Sequence, residues 1–194
     1  RSELKRLHNE MGTTIIYVTH DQVEALTMST RIALFKEGSL AQVAPPMELY
    51  MNPVDLQAAD FIGNPRINFI PATGRLEDHR LHVDSDLGSF VFGSEHFTQE
   101  PIPDGKFPCV IGLRPEQVNI EEQPSAGAIE AKVYASMPAG SETLVTLVVD
   151  KQELLAKQIG LADYHINQTV YLNIDPNKMN IYDEKSTRLI KLAV

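Results

Sequence analysis

The sequence predicts a chain in two parts, an α/β segment over residues 1–64 followed by an all-β barrel over residues 65–194. In the first part, apolar residues at helical spacing precede an unbroken apolar run, which is typical of a strand covered on both faces. In the second part, short alternating or β-branched runs are separated by turn residues, as in small antiparallel barrels. The composition, 43% hydrophobic and 22% charged, is that of a globular protein.

The first part alternates helix and strand. Leu4, Leu7 and Met11 recur at the spacing of one helix face, and Thr14–Thr19 is predicted to be a buried strand. A helix over residues 22–29 and a strand at RIALF then complete a strand-helix-strand unit. This order is typical of a parallel sheet.

Further along, KEGS is predicted to turn into LAQVA as a β-hairpin, and two short helices follow at MELYMN and VDLQAADFI. The first helix is expected to start at residue 1 with no preceding cap. One strand-helix-strand unit is too small to bury a parallel sheet. The segment is therefore expected to be the end of a larger α/β domain.

His20 stands at the carboxyl end of the predicted strand, directly before a predicted helix. Asp21 is expected to cap that helix, and Glu24 three residues later fits a capping box. Those two acids have a structural role, whereas His20 has none. Because ligands bind at the carboxyl ends of strands in open α/β sheets, His20 is the candidate functional residue of this part.

In the second part, nine runs are predicted to be strands: INFIPATG, RLHVD, GSFVFG, CVIGLRPEQVNI, GAIEAKVYAS, ETLVTLVVD, QTVYLNI, MNIYD and RLIKLAV. The segment QELLAKQ fits a short helix or a strand equally well. PAGSE and DPNK are expected to connect hairpins. Cys109, the only cysteine, lies in an apolar run, and we expect a buried, inert thiol.

The charge distribution argues against nucleic-acid binding. The net charge is −9, with 5 basic and 8 acidic residues up to residue 64 and 12 and 18 after it, so neither part offers a basic face. His79 and His82 lie three apart on a predicted strand and face opposite sides, so no metal site is expected there. No apolar run approaches the ~20 residues of a membrane helix, and a cytosolic protein is expected.

A continuous string in the first part resembles a known family. THDQVEA, then EG, AQVAPPMELYMNP and FIGNPRINF occur in the order found at the end of the nucleotide-binding domain of ABC transporter ATPases. The resemblance is to the sugar-importer type of the maltose and glycerol-3-phosphate systems. Downstream, GLRPE and GSETLV resemble the regulatory domain of the same subfamily, whose fold is a small OB-like, transport-associated barrel.

This resemblance implies that His20 is the switch histidine, which reaches the γ-phosphate of ATP and helps to hold the attacking water. It implies ATP and Mg²⁺ as cofactors of the parent protein. The printed sequence contains no GxxxxGK[ST] phosphate loop, no LSGGQ-like signature and no strand ending in Asp-Glu, which in the family lie upstream. We therefore expect this fragment alone to be inactive, with no cofactor bound.

Two turns of the predicted barrel have two interpretations. Either they are turn chemistry, in which Arg114 pairs with a nearby carboxylate, or this edge contacts a partner subunit or a regulator. The residues concerned are Gly112, Arg114, Pro115, Glu116, Gly140, Ser141 and Glu142.

The resemblance also implies partners: a homodimer, integral-membrane permease subunits and a cytosolic regulator, with the protein peripheral on the inner face of the cell membrane. Two other classes compete with an importer subunit. One is a stand-alone barrel that senses a small ligand or oxyanion. The other is an OB-type nucleic-acid binder, for which Tyr134, Tyr171 and Tyr182 are accompanied by too few basic residues.

Overall fold

The chain folds mostly into antiparallel β-structure in a computed structural model, which describes residues 2–194 without the side chain of Ser2. The strands are β1 (Ile32–Lys36), β2 (Ser39–Ala44), β3 (Asn68–Glu77), β4 (Arg80–Ser85), β5 (Gly88–Gly93), β6 (Lys106–Leu113), β7 (Asn119–Glu121), β8 (Ile129–Pro138), β9 (Glu142–Val149), β10 (Gln152–Ile159), β11 (Thr169–Asn173), β12 (Asn180–Asp183) and β13 (Leu189–Lys191). They form the hairpin β1-β2, a five-stranded sheet in the order β10-β9-β8-β11-β7 and a six-stranded sheet in the order β13-β12-β6-β3-β4-β5.

Side chains from the two larger sheets share one buried core. On β9, Val145, Leu147 and Val149 point inward and alternate with partly exposed residues, the period of two that one buried face requires. Cys109 belongs to this core, and burial raises the pKa of its thiol to about 12. The predicted burial of this cysteine is confirmed, and a thiol with that pKa is protonated at neutral pH, as expected of an inert cysteine.

Asn68 joins the two sheets through its side-chain amide. The nitrogen Nδ2 donates to the carbonyl oxygens of Leu113, at 3.0 Å, and Leu155, at 2.9 Å. The oxygen Oδ1 accepts from the amide of Leu155 at 2.7 Å. Leu113 ends β6 in one sheet and Leu155 lies in β10 of the other. The Asn68 side chain therefore links the two sheets by hydrogen bonds.

The predicted strands of the second part are largely confirmed, with β4 and β5 matching RLHVD and GSFVFG almost residue for residue. The ambiguous segment QELLAKQ is a strand, β10. The long run CVIGLRPEQVNI is interrupted after Leu113 by a 3₁₀ turn at Pro115–Gln117. The DPNK hairpin was wrong: a 3₁₀ turn at Pro176–Lys178 carries the chain from β11 in one sheet to β12 in the other.

The helices of the described residues are α1 (Ser2–Met11), α2 (Gln22–Met28), α3 (Pro46–Met51) and α4 (Leu56–Phe61). The expected helix start at Arg1 lies outside the described residues. The predicted strand Thr14–Thr19 and its strand-helix-strand unit were wrong, because this segment forms no strand, and Ile16 is 89% and Val18 91% exposed. Among the described residues, no neighbouring strand offers the backbone partners that such a run needs. No helix in the described part has the length and apolar character to cross a membrane.

The start of α2 is fixed by its own flanking residues. The Asp21 carboxylate accepts from the amides of Val23, at 2.8 Å, and Glu24, at 3.1 Å, so the predicted cap is confirmed. The Glu24 carboxylate instead accepts from the hydroxyls of Thr19, at 2.8 Å, and Tyr17, at 3.1 Å. These two hydrogen bonds connect the segment before α2 to the helix itself.

The predicted hairpin of β1 and β2 and the two short helices after it are confirmed. The chain between α3 and α4 packs on the six-stranded sheet. Asn52 bonds both the amide and the carbonyl of Ala193, and the buried Tyr182 hydroxyl donates to the carbonyl of Pro53 at 3.3 Å. Ala59 of α4 shares a small apolar cluster with Tyr182 and Leu189.

Lys191 is fully buried in β13, with 0% of the residue exposed. Its ammonium donates to the carbonyls of Asn177, at 3.0 Å, and Met179, at 2.8 Å, and lies 4.6 Å from the centre of the Phe92 ring. Burial lowers the pKa of this amine from 10.5 to about 8, against a smaller opposing effect of Asp175.

The lowered pKa of Lys191 makes part of the free energy of unfolding depend on pH. Because the folded pKa is about 8 and the ordinary value 10.5, the unfolded chain binds more protons between these values. The contribution of Lys191 to the free energy of unfolding therefore rises with pH across this window. Chemical denaturation from pH 7 to 10.5 measures the free energy of unfolding of the wild type and of Lys191→Met. The value for the wild type minus the value for the variant should rise with pH.

The comparison with Lys191→Met is needed because Cys109 and Tyr182 titrate in the opposite sense. The pKa of each is raised by burial, so the contribution of each to stability falls as the pH rises. Both residues are present in both proteins, so their effects cancel in the difference. Two curves that stay parallel would show that the buried amine does not titrate in this range.

Candidate functional site

His20 is exposed and lies in the irregular segment directly before the capped helix α2. The segment borders a largely apolar groove of about 550 Å³, lined by residues of α1, α2, β1 and the chain between α1 and α2. The position at the amino end of a helix was predicted, whereas the strand in front of it was not found. An exposed imidazole there is able to donate a hydrogen bond to a phosphoryl oxygen of a ligand.

Gln22, two residues beyond His20, bonds to the far end of α4. Its Nε2 donates to the carbonyl of Phe61 at 2.5 Å, and its Oε1 accepts from the amide of Gly63 at 2.8 Å. Both polar groups of the Gln22 side-chain amide therefore form hydrogen bonds with residues 61–63, which we call the 61–63 tripeptide. The sequence analysis placed Gln22 only inside a helix and did not assign it a role.

Arg114 contacts the same tripeptide from the β-sheets. The residue is 2% exposed, its Nη1 donates to the carbonyl of Ile62, and its Nη2 donates to the carbonyl of Tyr50 at 2.7 Å. The guanidinium lies 4.2 Å from the centre of the Tyr50 ring, a cation–π contact, and burial lowers its pKa. Its partners are backbone carbonyls and a ring, so the predicted pairing with a carboxylate was wrong.

Glu116 completes this contact from the other side of the Pro115 turn. The Tyr50 hydroxyl donates to Glu116 Oε1 at 2.6 Å. Burial, followed by this hydrogen bond and the Glu116 charge, raises the pKa of Tyr50 to about 12. Tyr50 is thus bound at its ring, its carbonyl and its hydroxyl by the GLRPE turn.

The GLRPE turn therefore faces inward over most of its length. Gly112, Arg114 and Pro115 are buried, and Glu116 alone of the predicted contact residues in this turn is exposed. A Cβ on Gly112 would lie 3.0 Å from the Tyr182 ring and 3.1 Å from Ile67. Contrary to the contact expected with a partner subunit, the Arg114 side chain is used within the chain, against α3 and α4.

The second predicted turn lies at the surface. Gly140 and Ser141 are exposed at the tip of the β8–β9 hairpin, and Glu142 pairs with Lys157 at 2.7 Å. Large apolar side chains are exposed on β8, at the end of β10 and in the chain that follows β10. This hairpin-end patch consists of Tyr134 (62% exposed), Met137 (50%), Ile159 (98%), Leu161 (75%) and Ile166 (72%).

The structure thus brings the segment of His20 and the GLRPE turn to the same tripeptide. The Gly140–Glu142 turn is not part of this contact and lies at the start of β9. Sequence reasoning missed Gln22, Tyr50 and Gly63. A signal for Gly63 was present, because a glycine closing a helix is suited to positive φ, and its φ is +117°.

Comparisons with known proteins indicate the class of protein that this chain resembles. Residues 111–181 match the family model of the TOBE domain. The chain is 34% identical to the uncharacterized ABC transporter ATP-binding protein YcjV of Escherichia coli strain 536, over 96% of this chain and 51% of that protein. It is 34% identical to the sulfoquinovosyl glycerol transport ATP-binding protein SmoE of Agrobacterium fabrum, over 98% and 52%. It is 32% identical to the oligosaccharides import ATP-binding protein MsmX of Bacillus subtilis, over 96% and 51%.

These matches agree with the resemblance: the chain is similar to ABC transporter ATP-binding proteins over 96–98% of its length, and residues 111–181 match the TOBE domain. The chain spans about half the length of the curated relatives it matches. Among solved structures, the cytoplasmic molybdate-binding protein ModG gives a TM-score of 0.46 at 14% identity, over 59% of this chain and 94% of that chain. That likeness is too weak to support an oxyanion-sensing function.

Proposed function

We propose that this chain works as part of the ATP-hydrolysing subunit of an ABC importer for a sugar or a related solute. The observation that carries the proposal is similarity to ABC ATP-binding proteins over 96–98% of the chain, including one named for sulfoquinovosyl glycerol transport and one for oligosaccharide import. No comparable observation favours the alternative of a stand-alone sensor.

Within this function, residues 1–64 contribute the end of the nucleotide-binding domain and residues 65–194 the OB-like regulatory domain. Large apolar side chains are exposed in the first part, among them Ile16, Val18 and Phe35. Such a surface is typical of a segment that packs against further protein. We assign it to contact with the remainder of the nucleotide-binding domain.

His20 is the residue of this chain that we assign to the nucleotide. ATP with Mg²⁺ supplies the phosphoryl group whose charge is redistributed during hydrolysis. The His20 imidazole is exposed on a segment fixed by the Asp21 cap and the Glu24 carboxylate, and it stabilises that charge by donating a hydrogen bond.

The partners that follow from this function are integral-membrane permease subunits, a second copy of the same subunit and a cytosolic regulator. The protein would then be peripheral on the inner face of the cell membrane. Reading the coding sequence upstream of Arg1 tests the proposal directly. A frame with the phosphate loop, signature and Asp-Glu motifs supports it, and a frame without them overturns it.

The chain on its own should neither hydrolyse ATP nor be stabilised by it. Since His20 is the only assigned nucleotide contact, we expect no turnover above background and no shift in melting temperature at millimolar Mg-ATP. Thermal scanning and a phosphate-release assay measure both quantities. Saturable binding at micromolar ATP would contradict the view that most of the site lies outside this sequence.

The hairpin-end patch should mediate weak self-association of this chain. Its five side chains are apolar, and the nearby Glu142 carboxylate is neutralised by Lys157, so two copies meet here without the repulsion expected from a net charge of −9. Light scattering over a concentration series should show a rising mass for the wild type. Ile159→Asp should abolish that rise, because it places a charge on a residue that is 98% exposed.

Val91→Asp is the matched control for this experiment, since Val91 is also exposed but lies on β5 of the other sheet. It should leave self-association unchanged. A wild type that stays monomeric at high micromolar concentration, or equal effects of both substitutions, would remove the patch from the dimer proposal.

A further inference from the structure

The 61–63 tripeptide is held from two sides by residues far apart in sequence. Gln22 binds its two ends, the carbonyl of Phe61 and the amide of Gly63. Arg114 binds its middle, the carbonyl of Ile62. Three polar groups of this short backbone stretch are thus divided between the segment that carries His20 and the TOBE domain.

The Arg114 side of this contact is rigid. The residue follows β6 directly, and Leu113 at the end of that strand is bonded through Asn68 to the other sheet. The residue is 2% exposed and its guanidinium lies over the Tyr50 ring, so close packing restricts a change of rotamer. A shift of the β6 end is therefore passed to Ile62.

The Gln22 side of the contact is the weaker one. The helix α2 has no fully buried residue, and its apolar side chains Ala25, Leu26 and Met28 are only partly buried, so polar contacts contribute much to its position. The two hydrogen bonds from Gln22 to the tripeptide are among these, and Gln22 is the first residue of the helix. The placement of α2, and of His20 two residues earlier, therefore follows the placement of the tripeptide.

We propose that Arg114 and Gln22 are positioning residues that couple the TOBE domain to the His20 segment through the 61–63 tripeptide. The role of His20 at the end of this connection rests on the proposed function, but the coupling itself does not. A displacement of the TOBE domain relative to α3 and α4 acts first on Ile62 and then, through Gln22, on the amino end of α2.

Amide hydrogen exchange of the 194-residue chain, followed by NMR, tests the coupling. Two reporter amides are Gly63, bonded to Gln22, and Ala25, which is bonded to the carbonyl of Asp21 within α2. Arg114→Gln should accelerate exchange at both by about tenfold, and Ala25 is the decisive reporter because Arg114 lies directly against Gly63. Arg75→Gln, which removes an exposed arginine of β3, is the matched control and should change neither.

The strands of the core show whether the variant remains folded. If Arg114→Gln leaves exchange in β9 unchanged but does not accelerate Ala25, the proposal is overturned, because a purely local role would end at the tripeptide. If exchange in β9 is also accelerated, Arg114→Gln has disturbed the core. The variant Gln22→Ala then tests the coupling instead, since Gln22 lies outside the barrel. Faster exchange at Ala25 in that variant supports the coupling, and unchanged exchange there overturns it.

No nucleotide enters this experiment, so its outcome is independent of the proposed function. An exchange result without coupling overturns the inference even if His20 proves essential for hydrolysis. Full ATP turnover after removal of His20 overturns the proposed function and leaves the exchange result as it stands.

Discussion

His20→Ala should lower ATP turnover of the full-length subunit about 100-fold, a loss on the order of 3 kcal/mol of transition-state stabilisation. The physical reason is that the imidazole interacts with charge that develops on the phosphoryl group, so its loss weakens the transition state more than the bound ground state. Nucleotide affinity should change little. Steady-state phosphate release and equilibrium nucleotide binding measure the two quantities separately.

His165→Ala is the matched control, because it removes an exposed histidine from a loop of the TOBE domain. Its turnover should equal that of the wild type. If His20→Ala reduced turnover by less than about threefold, this histidine would not act on the transferred group.

Gly63→Ala should lower the free energy of unfolding by about 3 kcal/mol, measured by urea denaturation. The backbone φ of Gly63 is +117°, which strains any L side chain, and an added Cβ would lie 2.6 Å from Arg114 Nη1. The guanidinium cannot move aside without losing its bonds to Ile62 and Tyr50. The substitution therefore combines backbone strain with a broken buried contact.

Gly88→Ala separates the two contributions. Gly88 has the same φ, +117°, but a Cβ there would meet nothing within 4 Å. It should cost only the backbone term of about 1–2 kcal/mol. Equal losses for both variants would mean that Arg114 yields to the methyl group, which would weaken the view of the tripeptide as a rigid contact.

The sequence predicted the strands of the barrel well because their signal is local. In β4 and β9, alternation of buried and exposed positions is written into consecutive residues. The Thr14–Thr19 run has an equally strong strand pattern, yet a strand also needs partners, and the described residues supply none. DPNK failed for a related reason: a turn signal does not say which sheet the chain enters next.

The candidate site could be predicted in part. His20 and the Asp21 cap follow from neighbouring residues, whereas the meeting of Gln22 and Arg114 at the 61–63 tripeptide joins positions separated by tens of residues. A single sequence carries no signal for such a contact. An arginine after a strand is usually exposed, so the burial of Arg114 ran against the ordinary expectation for this residue type.

The packing of α4 on β12 and β13 has a consequence for synthesis on the ribosome. Tyr182 and Leu189, which form the surface under Ala59, are translated more than a hundred residues after it. A nascent chain emerges with its amino end first. The surface on which the helices α3 and α4 pack is therefore incomplete until β12 and β13 have left the exit tunnel. Until then the side-chain amide of Asn52 lacks its partners Asn180 and Ala193. The two parts of the chain therefore complete their attachment only after β12 and β13 have been translated.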